Sequence, residues 1–326
     1  MPVITIIIPY YKTHKESFMK CINSINALDA EGKFEVLIVD DGSPEPLDLA
    51  LYNPNFQYSV IRYEENKGPG AARQLGIEHC TTEYLLFLDA DDWFLHSHVL
   101  DEYLEKIEHY HPDVLEPEAA YLMPEGIPGD TKEAIWGYCY RKEFLVKNNI
   151  GFVSLYYSED FLFKALVHLY APVTVTIENM GYARGTLDTE SLTHTTLSMA
   201  AFCEAAAMIY VSEFFEYNNL DMTKIESIFS RSIKMILNNN KQSEYYIFNI
   251  MALVYVYSCI QHKVPGLKIL LPTVTDPNYI TLLKEICCTV VQNDAILTDT
   301  NPRMAEHIIN AYERAEEIYY EHLNGR

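Results

Sequence analysis

The sequence predicts an α/β fold, a mostly parallel sheet with helices on both faces over residues 1–196, followed by an all-α domain over 197–326. Three observations carry that expectation. Short β-branched runs alternate with segments of helical period through the first half. Acidic and glycine-rich residues cluster where those apolar runs end. From about residue 197 only helical periodicity remains. A length of 326 residues accommodates two domains with substantial cores.

Residues 3–8, Val-Ile-Thr-Ile-Ile-Ile, form a continuous β-branched run that suits a strand buried on both faces, and Pro9 is expected to halt it. Phe18, Met19, Ile22, Ile25 and Leu28 recur at helical spacing over 16–28, and 34–39 reads as a second strand. A third strand, 57–63, leads into Asn66-Lys67-Gly68-Pro69-Gly70, after which Ala71 to His79 reads as helix and 84–88 as strand. Helices follow around 97–110 and from Asp160 along the amphipathic run 161–167. In the second half, helices are expected near 198–217, 222–238, 243–263, 276–292 and 302–323, the last with Asn301 as cap and Pro302 in its first turn. The aromatics there, such as Phe214, Phe215, Tyr245 and Tyr246, read as core or interface packing.

With 24 Lys and Arg against 46 Asp and Glu, the net charge of −22 repels phosphate backbones, so nucleic acid is not an expected partner. The seven cysteines form no Cys-x-x-Cys pair and sit mostly in apolar runs, as reduced thiols of an intracellular protein do. No basic segment followed by an apolar one opens the chain, and no apolar stretch approaches the ~20 residues of a membrane span. The expected location is cytoplasmic, with a peripheral contact at the inner face of the membrane left open.

The most informative stretch is 84–94, Tyr-Leu-Leu-Phe-Leu-Asp-Ala-Asp-Asp-Trp-Phe, where an apolar run delivers Asp89, Asp91 and Asp92 at its carboxyl end. In parallel sheets ligands bind at such ends, and converging carboxylates suit a divalent cation that also holds a diphosphate. Acidic residues also end strands simply by solvating a turn. If the strand pattern persists, Asp89 and Asp91 share a face, the first reaching a ribose or a metal-bound water and the second the metal. Asp92 is expected to be solvated or to cap the helix after it.

The strand ends in order are Pro9-Tyr10-Tyr11, Val39-Asp40-Asp41-Gly42-Ser43, Asn66 to Arg73, Leu88 to Asp92, Trp136-Gly137-Tyr138-Cys139-Tyr140-Arg141 and Ser158-Glu159-Asp160. In that order and spacing they resemble the family 2 glycosyltransferases with the GT-A fold, over roughly residues 1–195. The helical half resembles nothing comparable. The resemblance implies an inverting enzyme that moves a sugar from a nucleotide-sugar donor, UDP-linked by expectation, to a hydroxyl of a saccharide or glycoconjugate acceptor, with Mn²⁺ or Mg²⁺ as cofactor. The alternative is an inactive sugar-nucleotide binder or assembly protein.

By that resemblance Pro9, Tyr11, Asp40, Asp41, Arg73, Asp89 and Arg184 lie on the donor side. Asp40 and Asp41 leave a strand where a carboxylate can accept from a uracil imide or ribose hydroxyl. Tyr11 can flank the base or simply pack at a strand exit. Arg73, one turn beyond the glycine-rich loop, can meet the nucleotide or be a surface arginine. Trp136, Gly137 and Glu159 are placed on the acceptor side. Asp160 is the candidate general base, although an N-cap without chemical role fits its local sequence equally well. Tyr182-x-Arg184-Gly185 and Ser191-Leu192-Thr193-His194 resemble the segment that closes over the donor, with Arg184 on the diphosphate and His194 joining Asp91 on the metal. A linker into the helical half competes with that reading. The helices of 197–326 are expected to position the acceptor or form a homo-oligomer through their apolar stripes.

Overall fold

A computed structural model describes residues 1–118, 135–152, 159–170, 172–178 and 181–185, together with Val211 and Phe215. The chain divides into two compact units, of which the first comprises Met1–Ser154 and Glu159–Ser191. Apart from Val211 and the buried Phe215, the five helices expected between 198 and 323, and His194, lie outside the described residues.

The first unit is built on a seven-stranded sheet. In chain order its elements are β1 (Ile4–Tyr10), α1 (Lys15–Asn26), β2 (Phe34–Asp40), β3 (Tyr58–Arg62), α2 (Pro69–His79) and β4 (Tyr84–Phe87). Then follow β5 (Trp93–Phe94), α3 (Asp101–Tyr110), β6 (Val114–Pro117), β7 (Cys139–Arg141), α4 (Lys142–Lys147), α5 (Glu159–Leu169), β8 (Thr174–Ile177) and β9 (Tyr182–Ala183). The sheet order is β3-β2-β1-β4-β7-β6-β8, while β5 and β9 form a separate two-stranded ribbon. β1 pairs parallel with both β2 and β4, and β7 runs antiparallel between β4 and β6. The strand order therefore reverses at β1 and β4, and their carboxyl ends open the crevice where doubly wound sheets take ligands.

Residue parity sorts the core. Ile4, Ile6 and Ile8 of β1 and Val36 and Ile38 of β2 pack with Phe18, Cys21, Ile22 and Ile25 of α1. Leu37 and Val39 turn to the other face and pack with Ala72 of α2. Burial on both faces is why these strands read as continuous apolar runs.

Pro9 does not halt the first strand, which continues to Tyr10, with Pro9 opposite Val39 and Tyr10 opposite Asp40. The carbonyl of Ile7 accepts from Leu88, so odd residues of β1 face β4. Pairing with β4 ends at Ile7 opposite Phe87, so the N–H that Pro9 lacks would have had no strand partner. β4 likewise ends at Phe87, and Asp92 N–H closes a turn onto the Asp89 carbonyl at 3.0 Å. Asp89 and Asp91 therefore sit on a turn and do not share a strand face. Among the described residues no helix is long and apolar enough to cross a membrane.

Candidate active site

The carboxyl ends of β2 and β4 and the amino end of α5 carry the acidic residues singled out above, with Tyr11 just beyond β1 and Arg73 in α2. Asp40, the last residue of β2, is 1% exposed. Its Oδ1 accepts from Ser43 N–H at 2.9 Å, and its Oδ2 accepts from Leu47 N–H at 3.2 Å and from the Arg62 guanidinium. This carboxylate fastens its own loop. Gly42 permits the loop's path: φ is +70°, and a Cβ there would lie 2.5 Å from Asn66 N.

Asp41 reaches across to the next loop. Its Oδ1 and Oδ2 accept from Lys67 N–H and Gly68 N–H, each at 2.8 Å, at the start of α2. Burial raises its pKa to about 6 against the pull of those two N–H groups. Two of a carboxylate's roughly four acceptor sites are thereby used. Pro9 lies within β1, and Tyr11 just beyond it is 38% exposed with the Lys12 ammonium 5.1 Å from its ring centroid.

Asp89 is held by two donors from distant elements. Arg73 Nη2 donates to its Oδ1 at 2.7 Å, and Trp136 Nε1 donates to its Oδ2 at 2.8 Å. The other guanidinium nitrogen, Nη1, donates to Glu159 Oε1 at 2.7 Å. Arg73 is only 5% exposed, so it is not a surface arginine. Glu159 is likewise buried and paired with Arg73. Burial and then the adjacent Asp160 raise the Glu159 pKa, and Arg73 opposes them. Asp160 itself lies in the first turn of α5, half-buried.

Asp92 is neither solvated nor a helix cap, since it is 2% exposed and α3 begins at Asp101. Tyr182 Oη donates to its Oδ2 at 2.5 Å, and Gly185 N–H donates to its Oδ1 at 2.7 Å. The same phenol oxygen accepts from Asp89 N–H at 3.2 Å. Burial, then Asp89 and Asp91, push the Asp92 pKa well above the usual carboxylate range. Gly185 lies so close to the turn that a Cβ would stand 2.2 Å from the Asp91 carbonyl oxygen. The Tyr182 ring stacks on Trp136 at 6.5 Å, and the Arg184 guanidinium lies 4.9 Å from the Trp136 centroid. Gly137, with φ +72°, presents its carbonyl to Tyr103 Oη at 2.6 Å.

Asp91 and Asp160 thus flank a scaffold in which Asp89, Asp92, Arg73, Glu159, Trp136 and Tyr182 satisfy one another. Asp92, Tyr182 and Gly185 were absent from the set of site residues expected from sequence, and the acidic run together with the Tyr-x-Arg-Gly segment was the only signal of their link. Among the described residues no three His, Cys, Asp or Glu side chains converge on a ready-made metal cage. Cys21, Cys80 and Cys139 are free and buried.

Residues 5–150 match the family profile described as Glycosyl transferase family 2. The chain is 36% identical over 110 residues to the teichoic acid poly(glycerol phosphate) polymerase of Staphylococcus epidermidis, covering 32% of this chain and 15% of that protein. It is 27% identical over 165 residues to the glycosyltransferase AglE of Haloferax volcanii, covering 49% of this chain and 54% of that one. It therefore spans only part of the curated relatives it matches. Among solved structures, TarS 1–349 of S. aureus in complex with UDP-GlcNAc superposes with a TM-score of 0.57 at 18% identity, over 99% of this chain and 92% of that one. The mannosyltransferase PcManGT of Pyrobaculum calidifontis, in complex with GDP-Man and Mn²⁺, gives 0.50 at 14% identity, over 96% and 87% of the two chains. At these identities the likeness shows the fold, a mostly parallel GT-A-like sheet with helices.

Proposed function

Because residues 5–150 match the profile described as Glycosyl transferase family 2, we propose that the protein is an inverting, metal-dependent enzyme that transfers a sugar from a nucleotide-sugar donor to a hydroxyl of a saccharide or glycoconjugate. The observation that carries this reading is the placement of Asp91 and Asp160 beside one buried polar network at the strand-order reversal of the sheet. In such folds the crevice at that reversal is the ligand site.

The nucleotide lies along the ends of β1 and β2, with Tyr11 beside the base and Asp41 holding the Lys67–Gly68 loop against it. Arg184, over the Trp136 ring, takes the diphosphate. The donor set fits a divalent cation bound together with that diphosphate. Asp91 is the principal carboxylate in this proposal, and Mg²⁺ or Mn²⁺ sites commonly need only one or two carboxylates when phosphate oxygens and water complete the shell. His194 is the second protein ligand in this proposal. When bound, the cation would neutralise charge developing on the departing diphosphate.

Asp160 removes the acceptor's hydroxyl proton as its oxygen attacks the anomeric carbon. The bond from that carbon to the diphosphate oxygen breaks on the opposite face, so configuration inverts. UDP is the donor nucleotide by analogy with the TarS complex, and Trp136 and Gly137 border the acceptor. Residues 197–326 position that acceptor or join two copies of the chain in this proposal, which light scattering reads directly. A panel of UDP-N-acetylglucosamine, UDP-glucose and GDP-mannose with Mn²⁺ tests the function. Slow hydrolysis of one donor is expected, and binding without turnover of any would favour an inactive sugar-nucleotide binder.

A further inference from the structure

Arg73 is buried between the two halves of this site and paired to a carboxylate in each. Its guanidinium donates at 2.7 Å to Asp89, two residues before Asp91, and at 2.7 Å to Glu159, the residue before Asp160. The Arg73 Cζ lies 5.8 Å from the Phe152 ring centroid, and Phe152 stacks at 4.2 Å on Phe163 of α5. The Nε of Arg73 is buried with no hydrogen-bond partner. We propose that Arg73 is a positioning residue that locks the Asp89–Asp92 turn to the amino end of α5, and so fixes the distance and direction between Asp91 and Asp160. This inference rests on the reading of Asp160 as general base.

The physical ground is what a buried guanidinium does that simpler packing does not. A buried ion pair adds little net stability over apolar residues of the same volume, because desolvating the charges offsets their attraction. What it adds is geometry. The planar fork presents two nitrogens in a fixed relation, so the two carboxylates on different elements cannot shift independently. A lysine carries one compact charge and cannot reproduce that fork. Trp136 holds the second oxygen of Asp89, so the turn has no slack on its far side.

The test compares Arg73→Lys, Glu159→Ala and Glu159→Gln with the wild type and with Asp160→Asn. Each is assayed for Mn²⁺-dependent hydrolysis of whichever sugar nucleotide of the panel above the wild type turns over, with water standing in for the acceptor hydroxyl. Circular dichroism and melting identify any variant that fails to fold, and Glu159→Ala decides the matter if Arg73→Lys does. Loss of the lock should lower kcat by about a hundredfold, the cost of misplacing a catalytic group by roughly 1 Å. Donor KM should stay within about threefold, because the donor contacts survive. Glu159→Gln keeps an oxygen that accepts from Nη1 and should recover to within about tenfold of wild type. A rise in KM at unchanged kcat would overturn the inference and place Arg73 on the donor. Normal kcat in Glu159→Ala with an inactive Asp160→Asn would overturn it and leave the base reading standing. Normal turnover in Asp160→Asn would instead remove the base reading.

Discussion

Tyr182 Oη lies 2.5 Å from Asp92 Oδ2, joining residues ninety positions apart in sequence. The phenol also accepts from Asp89 N–H, and Gly185 N–H takes the other Asp92 oxygen, so the 181–185 segment is fastened to the acidic turn at three points. The antiparallel pairing of Phe94 with Tyr182 and Trp93 with Ala183 sets the register of that fastening. Arg184 reaches the Trp136 ring from a segment so fixed.

Removing the phenol oxygen tests the link. Tyr182→Phe keeps the ring against Trp136 but leaves one Asp92 oxygen and the Asp89 N–H without this partner. Leaving buried polar groups unsatisfied costs about 1–3 kcal/mol, which urea denaturation should register as a lower midpoint at unchanged slope. Donor affinity should fall as well. Wild-type stability in this variant would show that the contact contributes nothing.

Asp41 gives a pH signature. Its folded pKa, near 6, lies above the ordinary aspartate value, so the folded state holds its proton more tightly than the unfolded chain. The corresponding stability is fully present below pH 4 and is lost as pH rises through about 6. A shift of this size is worth about 3 kcal/mol at most. The stability of the wild type relative to Asp41→Asn should therefore decline between pH 4 and 7. A difference that is flat across that window would mean Asp41 titrates normally.

Metal binding should depend on the donor. With Asp89 and Asp92 committed to protein hydrogen bonds, phosphate oxygens must supply much of the shell around Asp91. Titration calorimetry should find Mn²⁺ binding weak alone and at least about tenfold tighter with saturating UDP, and the gain should vanish in Asp91→Asn. Tight Mn²⁺ binding without nucleotide would indicate a preformed cage.

The strands near the site were legible because both-face burial writes itself as continuous apolar runs, as in Ile4–Tyr10 and Phe34–Asp40, and because the punctuating motifs are local. Cys139–Arg141 carries a motif but no strand signal, since three residues are too few to show a period, and its antiparallel insertion is a tertiary fact. Side-chain commitments were the least legible part. Asp40 and Asp41 are adjacent and chemically identical, yet one fastens its own loop and the other the start of α2, a choice made by loop paths. Arg73 beside a glycine-rich loop reads as a ligand contact, and only the fold reveals that Asp89 and Glu159 already enclose it. The pairing of Asp92 with Tyr182 has no local pattern at all.

The most direct measurement is donor affinity and turnover in Asp160→Asn, taken on one preparation. A group that acts only on the acceptor proton contributes to the transition state and not to donor binding. The donor dissociation constant should stay within about twofold of wild type while transfer falls by about a hundredfold or more, the range general-base catalysis supplies. Donor binding that collapses with turnover, or turnover that survives the substitution, would contradict the assignment of this crevice as the site of base-assisted glycosyl transfer.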